Sequence, residues 1–150
     1  MDAVSYPNVA VNDFISAKMV PLRIPADREP LVSQFQVRWT PTLITLDSSG
    51  KEHHRTLGFL PPEELIPSLM LGMAKVEFNA ERPDAALRQL ESLLREYPQC
   101  AAAPEALYLR GVCRYKTTHD AAPLKEAHEE LKAKYPGSEW VSRSKPYSLL

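Results

Sequence analysis

Apolar positions change their rhythm along this chain, mixed over the first sixty residues and helical thereafter. Ala10, Val11, Phe14 and Ile15 recur at helical intervals behind Asn8, whose short amide is suited to capping free backbone N–H groups, so a helix is expected to about Lys18. Met19-Val20-Pro21-Leu22-Arg23-Ile24 reads as a short extended run, with Pro21 weakening its pairing on one side. Asp27 then caps a second helix, with Pro30 in its first turn and Leu31, Val32 and Phe35 turned to the core. Leu43 to Leu46 and His53 to Leu57 flank Asp47-Ser48-Ser49-Gly50 as a β-hairpin that Gly58 ends.

From Pro61-Pro62-Glu63-Glu64 onward only helices are expected, the first opening with prolines and with acidic residues at its positive end. Leu65, Ile66, Leu69, Met70, Met73 and Val76 form one stripe, while Leu71 and Phe78 lie outside it. A helix apolar on more than one side is buried on more than one side, so residues 62–80 are expected to connect a module at 1–64 to helical hairpins at 65–150. A near-repeat follows: Ala86, Leu87, Leu90, Leu93, Leu94 and Tyr97-Pro98 match Leu124, Ala127, Leu131 and Tyr135-Pro136, with the Tyr-Pro pairs 38 residues apart. That spacing belongs to arrays of helical hairpins. About two repeats bury too little by stacking alone, so docking on the first half is expected. Trp140 would seal the last hairpin, and Ser142–Leu150 would fray or pack on a neighbour.

Composition narrows the function classes. A net charge of −1 with no basic stripe does not suggest a nucleic-acid partner. No apolar run approaches ~18 residues, so no membrane span is expected. Two cysteines do not make a disulfide framework, and the default compartment is cytoplasmic unless a secretory leader precedes Met1. The 14 prolines, against 5 glycines, fall mostly at element edges and predict short, sharply punctuated elements.

The stretch Val37-Arg38-Trp39-Thr40-Pro41-Thr42-Leu43-Ile44-Thr45-Leu46 followed by Asp47-Ser48-Ser49-Gly50-Lys51 resembles the thioredoxin-fold superfamily, marked by a cis-proline loop and then a hairpin. The resemblance covers residues 1–75 and lacks the family's upstream Cys-x-x-Cys pair. It implies that Met1 lies a few residues beyond the position of the second cysteine. It also implies that a central strand is missing between strands like Met19–Ile24 and Thr42–Leu46. Three resolutions stay open: an earlier start of the polypeptide, direct pairing of the flanking strands, or a strand supplied by another molecule. The segment Arg95–Gly111 resembles tetratricopeptide repeats. The expected fold is thus α/β plus all-α, a partial thioredoxin-like sheet with flanking helices followed by tetratricopeptide-like hairpins.

By that resemblance Trp39, Thr40, Pro41 and Thr42 are the candidate peptide-binding residues, Thr40 offering backbone hydrogen bonds to an extended segment. Trp39 can line such a groove or pack its loop onto the core. Cys100 and Cys113 read as buried rather than reactive thiols. His53 and His54, adjacent on a strand, should point to opposite faces and so not share a metal, while His128 on the Leu124/Leu131 stripe reads as a core histidine. No carboxylate pair is placed for acid–base work and no Gly-rich loop for phosphate. No catalytic residue, cofactor or metal is implied. The reading is a redox-inactive protein that binds a protein or peptide. The alternative is the C-terminal part of a thiol–disulfide oxidoreductase whose Cys-x-x-Cys lies upstream of Met1. A homodimer through the open sheet edge is a third option.

Overall fold

Asn8 Oδ1 accepts the Val11 N–H at 3.2 Å and starts the first helix, α1 (Val9–Lys18). A computed structural model describes residues 1–150. It contains a second, one-turn helix α2 (Leu31–Gln34), the strands β1 (Thr42–Leu46) and β2 (Glu52–Leu57), and five more helices. These are α3 (Pro62–Asn79), α4 (Pro83–Glu96), α5 (Ala103–Thr118), α6 (Ala122–Lys134) and α7 (Glu139–Ser144), and a 3-10 helix, Lys145–Leu149, follows. The class is therefore mixed: seven α-helices and one two-stranded antiparallel sheet.

The hairpin forms where its turn chemistry places it. Asp47 Oδ1 accepts the N–H groups of Ser49 (2.8 Å) and Lys51 (3.0 Å), and Gly50 supplies the left-handed conformation at φ 82°. Leu43 pairs with Thr56 and Thr45 with His54, and a bulge follows at Thr45/Leu46. One face of this hairpin lies on α3 so closely that a Cβ on Gly72 would stand 3.0 Å from Thr45 Cβ.

α3 carries the hairpin and α1 on one side and packs against α4 on the other. Leu65, Leu69, Met70, Leu71 and Ala74 are all buried, which explains why its apolar residues exceed a single stripe. Beyond it each helix packs on the next, with α5 and α6 so close that a Cβ on Gly111 would lie 2.6 Å from Ala127 Cβ. Leu90, Leu93, Leu107 and Leu131 are fully buried in these seams, each contributing about 1.5–3 kcal/mol.

The 38-residue repeat reappears in the backbone. Tyr97 (φ −132°, ψ 55°) and Tyr135 (φ −134°, ψ 54°) end α4 and α6 alike, each donating its N–H to the residue four back at 2.8 Å. Glu81 and His119, after α3 and α5, share φ 58°. His128 takes the place of buried Leu90, and Ser144 that of buried Ala106, so one apolar contact layer recurs as a hydrogen-bonded pair, Nδ1 to Oγ at 2.8 Å.

Three sequence expectations are corrected. Met19–Ile24 is no strand, because no strand lies beside it and Val20–Ile24 makes no main-chain hydrogen bond. Asp27 does not cap α2, which starts only at Leu31 behind Pro30. Leu31, Val32 and Phe35 are half-buried outside the core. Of the two expectations for the C-terminal tail, packing is what the structure shows: the tail is helical and lies on α6, Tyr147 Oη meets Tyr108 Oη at 2.8 Å, and Trp140 lies 5.0 Å from the Tyr108 ring. The histidine geometry also differs, for the reason given below.

Candidate functional site

Burial is distributed unevenly. Before Leu65 only Ser5 and Val11 are buried, whereas all but three of the exposed large apolar side chains precede residue 60. Val4, Val20, Leu22, Trp39, Leu57 and Phe59 are more than half exposed. Three contacts gather most of their segments at one end of the molecule. Ser5 Oγ donates to the Leu60 carbonyl (2.5 Å), Arg23 pairs with Asp2 (2.7 Å), and Ala26 shares a shallow groove of about 320 Å³ with Val37, Arg38, Trp39 and Thr40. Apolar side chains collected in this way mark interaction surfaces.

Thr40–Pro41 is a cis peptide at this end. Thr42 Oγ1 donates to the Trp39 carbonyl at 2.5 Å, and the Gly58 N–H donates to the Pro41 carbonyl at 2.8 Å. Trp39 is 66% exposed, so it lines the groove rather than packing its loop onto the core. The Gly58–Pro41 bond also sets the phase of the ladder. Alternate residues of an antiparallel strand bond to the same neighbour, so Leu43 and Thr45 face β2, and Thr42, Ile44 and Leu46 present their main-chain groups at the opposite edge. No strand occupies that edge.

The histidines depart from simple alternation because His53 is the extra residue of the bulge. Both imidazoles therefore reach α3. His53 meets Asp47 Oδ2 (2.8 Å) and Asn79 Nδ2 (2.9 Å), and His54 meets Lys75 Nζ (3.2 Å) and Ser68 Oγ (3.4 Å). The Lys75 ammonium can only donate, so His54 Nδ1 accepts and its N–H lies on Nε2, toward Ser68. That tautomer cannot take a proton from Ser68, and the pair is no nucleophile–base couple. Burial, then the Lys75 charge, lowers the His54 pKa to about 4. Lys75 also pairs with Glu105 of α5, tying the sheet to the helical half. No three His, Cys, Asp or Glu side chains converge in a metal-binding group.

Both thiols are buried, and neither faces the cis-proline loop. Cys113 lies on α5, which does not touch β1, and Cys100 in the turn after α4. Burial raises both pKa values, Cys113 to about 11, the reverse of what a nucleophilic thiol needs.

A second concavity, of about 500 Å³, lies between α4 and α6 over α5, with Arg95, Arg110, Lys134, Glu91 and Glu130 among its walls. The sequence pattern did not single it out, because these charges converge only through helix packing. No helix is long and apolar enough to cross a membrane. Comparison with protein-family models, curated proteins and solved structures gives no match.

Proposed function

We propose that this protein is a thioredoxin-like module joined to tetratricopeptide-like hairpins, and that it binds an extended segment of a protein partner along the free edge of β1. The observation that carries the reading is that edge itself. Thr42, Ile44 and Leu46 offer unpaired main-chain groups, and neither a charged side chain nor a proline interrupts the strand. A partner strand would gain about 0.5–1.5 kcal/mol net per main-chain hydrogen bond and would cover Trp39 at the loop. Redox exchange does not belong to these residues, since no thiol stands opposite Pro41 and both cysteines disfavour the thiolate.

Peptides selected by display test this reading. Binding should slow amide exchange at Thr42, Ile44 and Leu46 and shift Trp39 emission in a Trp140→Phe background. Pro41→Ala should lose that binding while keeping the helical circular dichroism. Equal binding by Pro41→Ala, or protection elsewhere only, refutes it.

The same open edge favours a second reading, in which a longer polypeptide with an upstream Cys-x-x-Cys fills it and acts as a thiol–disulfide oxidoreductase. Insulin reduction by the extended form, and none by residues 1–150, is the result that reading requires. Self-pairing across a two-fold axis is the remaining occupant, and light scattering showing a strict monomer removes it.

A further inference from the structure

The connection from α1 to α2 leaves its main chain bare. Met19 ends α1 with extended angles (φ −150°, ψ 169°), and from there to Pro25 the chain makes neither turn nor bend. Two prolines keep it so: each fixes its own φ and steers the residue before it, Val20 or Ile24, away from helical angles. Val20–Ile24 makes no main-chain hydrogen bond, and Val20 and Leu22 are 95% and 78% exposed. Within this segment stands a cation, Arg23, 80% exposed and paired with Asp2, itself 60% exposed. An ion pair between two exposed side chains holds weakly. Ile24 is half-buried but packs against neither apolar cluster of the core.

The other lysines and arginines lie in different surroundings. Arg28 sits in a turn and donates its N–H to the Pro25 carbonyl at 3.1 Å. Arg38, the nearest rival, follows Gln36 and Val37, whose N–H groups bond to Ser33 and Val32, and precedes a bend at Trp39. Lys51 closes the hairpin turn, Arg82 opens α4, and the rest lie in helices or in β2. An endopeptidase holds its substrate as a strand, pairing with main-chain groups on either side of the bond it cuts. A bond inside a helix or turn is therefore cut only after that structure opens.

We propose that Arg23–Ile24 is a processing site for an endopeptidase with an anionic primary pocket, presented by the native fold without local unfolding. A carboxylate in that pocket takes the Arg23 guanidinium in place of Asp2, while Val20 and Leu22 are free to meet the walls of the cleft. Water adds across the amide: its hydroxyl goes to the Arg23 carbonyl carbon and its proton to the Ile24 nitrogen, leaving a carboxylate and an ammonium. The cut divides the chain into residues 1–23 and 24–150. Residues 1–23 then cover α3 through non-covalent contacts alone, among them buried Val11 and the Ser5–Leu60 hydrogen bond. The proposal does not rest on the β1 edge.

Trypsin is the probe, used at a low ratio to the native intact chain, with the products identified by mass. The first products should be residues 1–23 and 24–150, formed at least about tenfold faster than any other cut, because the other bonds must first lose main-chain hydrogen bonds. The rate should also lie within about tenfold of that for the same bond in a free peptide of residues 17–30, as a segment presented without unfolding requires. Arg23→Gln should abolish the first cut and leave the slower ones. The 24–150 product should persist with its helical circular dichroism, which separates processing from the start of degradation. A first cut at Arg38 or at any other basic residue overturns the proposal. So does cutting at Arg23 slower than that range, an Arg23→Gln chain cut as fast as wild type, or a first cut followed at once by digestion of α3 to α6.

Discussion

Gly72→Ala should destabilise the protein, and Thr45 should decide by how much. Gly72 is buried at the middle of α3, where the added Cβ would stand 3.0 Å from Thr45 Cβ and nearer still to its Oγ1. Two effects oppose each other. Replacing glycine by alanine inside a helix gains about 1 kcal/mol of backbone entropy. Crowding a packed seam costs about 1–3 kcal/mol, here because the hairpin must move off α3 or Thr45 must leave its rotamer. The net expectation is a loss of up to about 2 kcal/mol, which lowers the melting temperature by up to roughly 8 °C for a protein of this size. In a Thr45→Ala background the nearest obstacle is gone, and the same substitution should become neutral or stabilising, a coupling of about 1–2 kcal/mol. Thr45→Val removes the hydroxyl but keeps the bulk, so in that background the cost should persist. Urea unfolding followed by circular dichroism gives all the required midpoints. An equal cost of Gly72→Ala in the wild-type and Thr45→Ala backgrounds refutes the hairpin–α3 seam as described.

His54 gives a pH-dependent prediction: its folded pKa of about 4 lies below the ordinary 6.5, through burial first and Lys75 second. The unfolded state therefore binds the extra proton between these values, so this contribution is intact above about pH 6.5 and lost as the pH falls toward 4. It amounts to about 2 kcal/mol after solvent screening. Urea midpoints at pH 7 and pH 5 should separate in the wild type and converge in His54→Gln, and parallel behaviour would exclude His54 as the source. For the His128–Ser144 pair, Ser144 Oγ donates to the Val141 carbonyl (3.1 Å), so His128 Nδ1–H donates to Ser144. Ser144→Ala should therefore cost about 1–3 kcal/mol by leaving a buried N–H unpaired. His128→Leu with Ser144→Ala should recover most of that loss, since it restores the Leu90/Ala106 layer of the preceding repeat. A double variant no more stable than Ser144→Ala alone would break the equivalence of the two layers.

Features fixed by nearby residues were legible in the sequence. Asn8 caps α1, Asp47 and Gly50 make the hairpin turn, and Tyr97-Pro98 and Tyr135-Pro136 end helices with the same backbone angles. Features that need a distant partner were not. Met19–Ile24 has strand-forming residues, but strand propensity is largely the fit to a neighbouring strand, and here none is present. The alternation that sent His53 and His54 to opposite faces holds only for an unbroken ladder, and a bulge leaves no mark in one sequence. Of the candidate site, Trp39 to Thr42 do gather at an exposed lip, but the surrounding apolar side chains and the Arg110 groove appear only once the segments are brought together.

The proposed β1 edge and the helical half belong to parts of the molecule with different stability. From Leu65 onward the helices bury their leucines in two clusters bridged by Leu94 and Tyr135, whereas the residues before it add only Ser5 and Val11 to the interior. A two-stranded hairpin is marginal alone, so β1 and β2 persist through their seam with α3 and should open at lower free energy than α3 to α6. An extended partner on β1 would therefore spend part of its interaction energy on ordering the edge and the Val20–Ile24 segment, which favours modest affinity and protection that spreads beyond the contacts. The α4/α6 seam, by contrast, is held in place by its ion pairs and by the Tyr135–Pro98 hydrogen bond. Exchange protection on binding to the β1 edge should accordingly spread through the hairpin and leave α4 to α6 unchanged, a contrast that follows from where the leucines are and not from the chemistry of the partner.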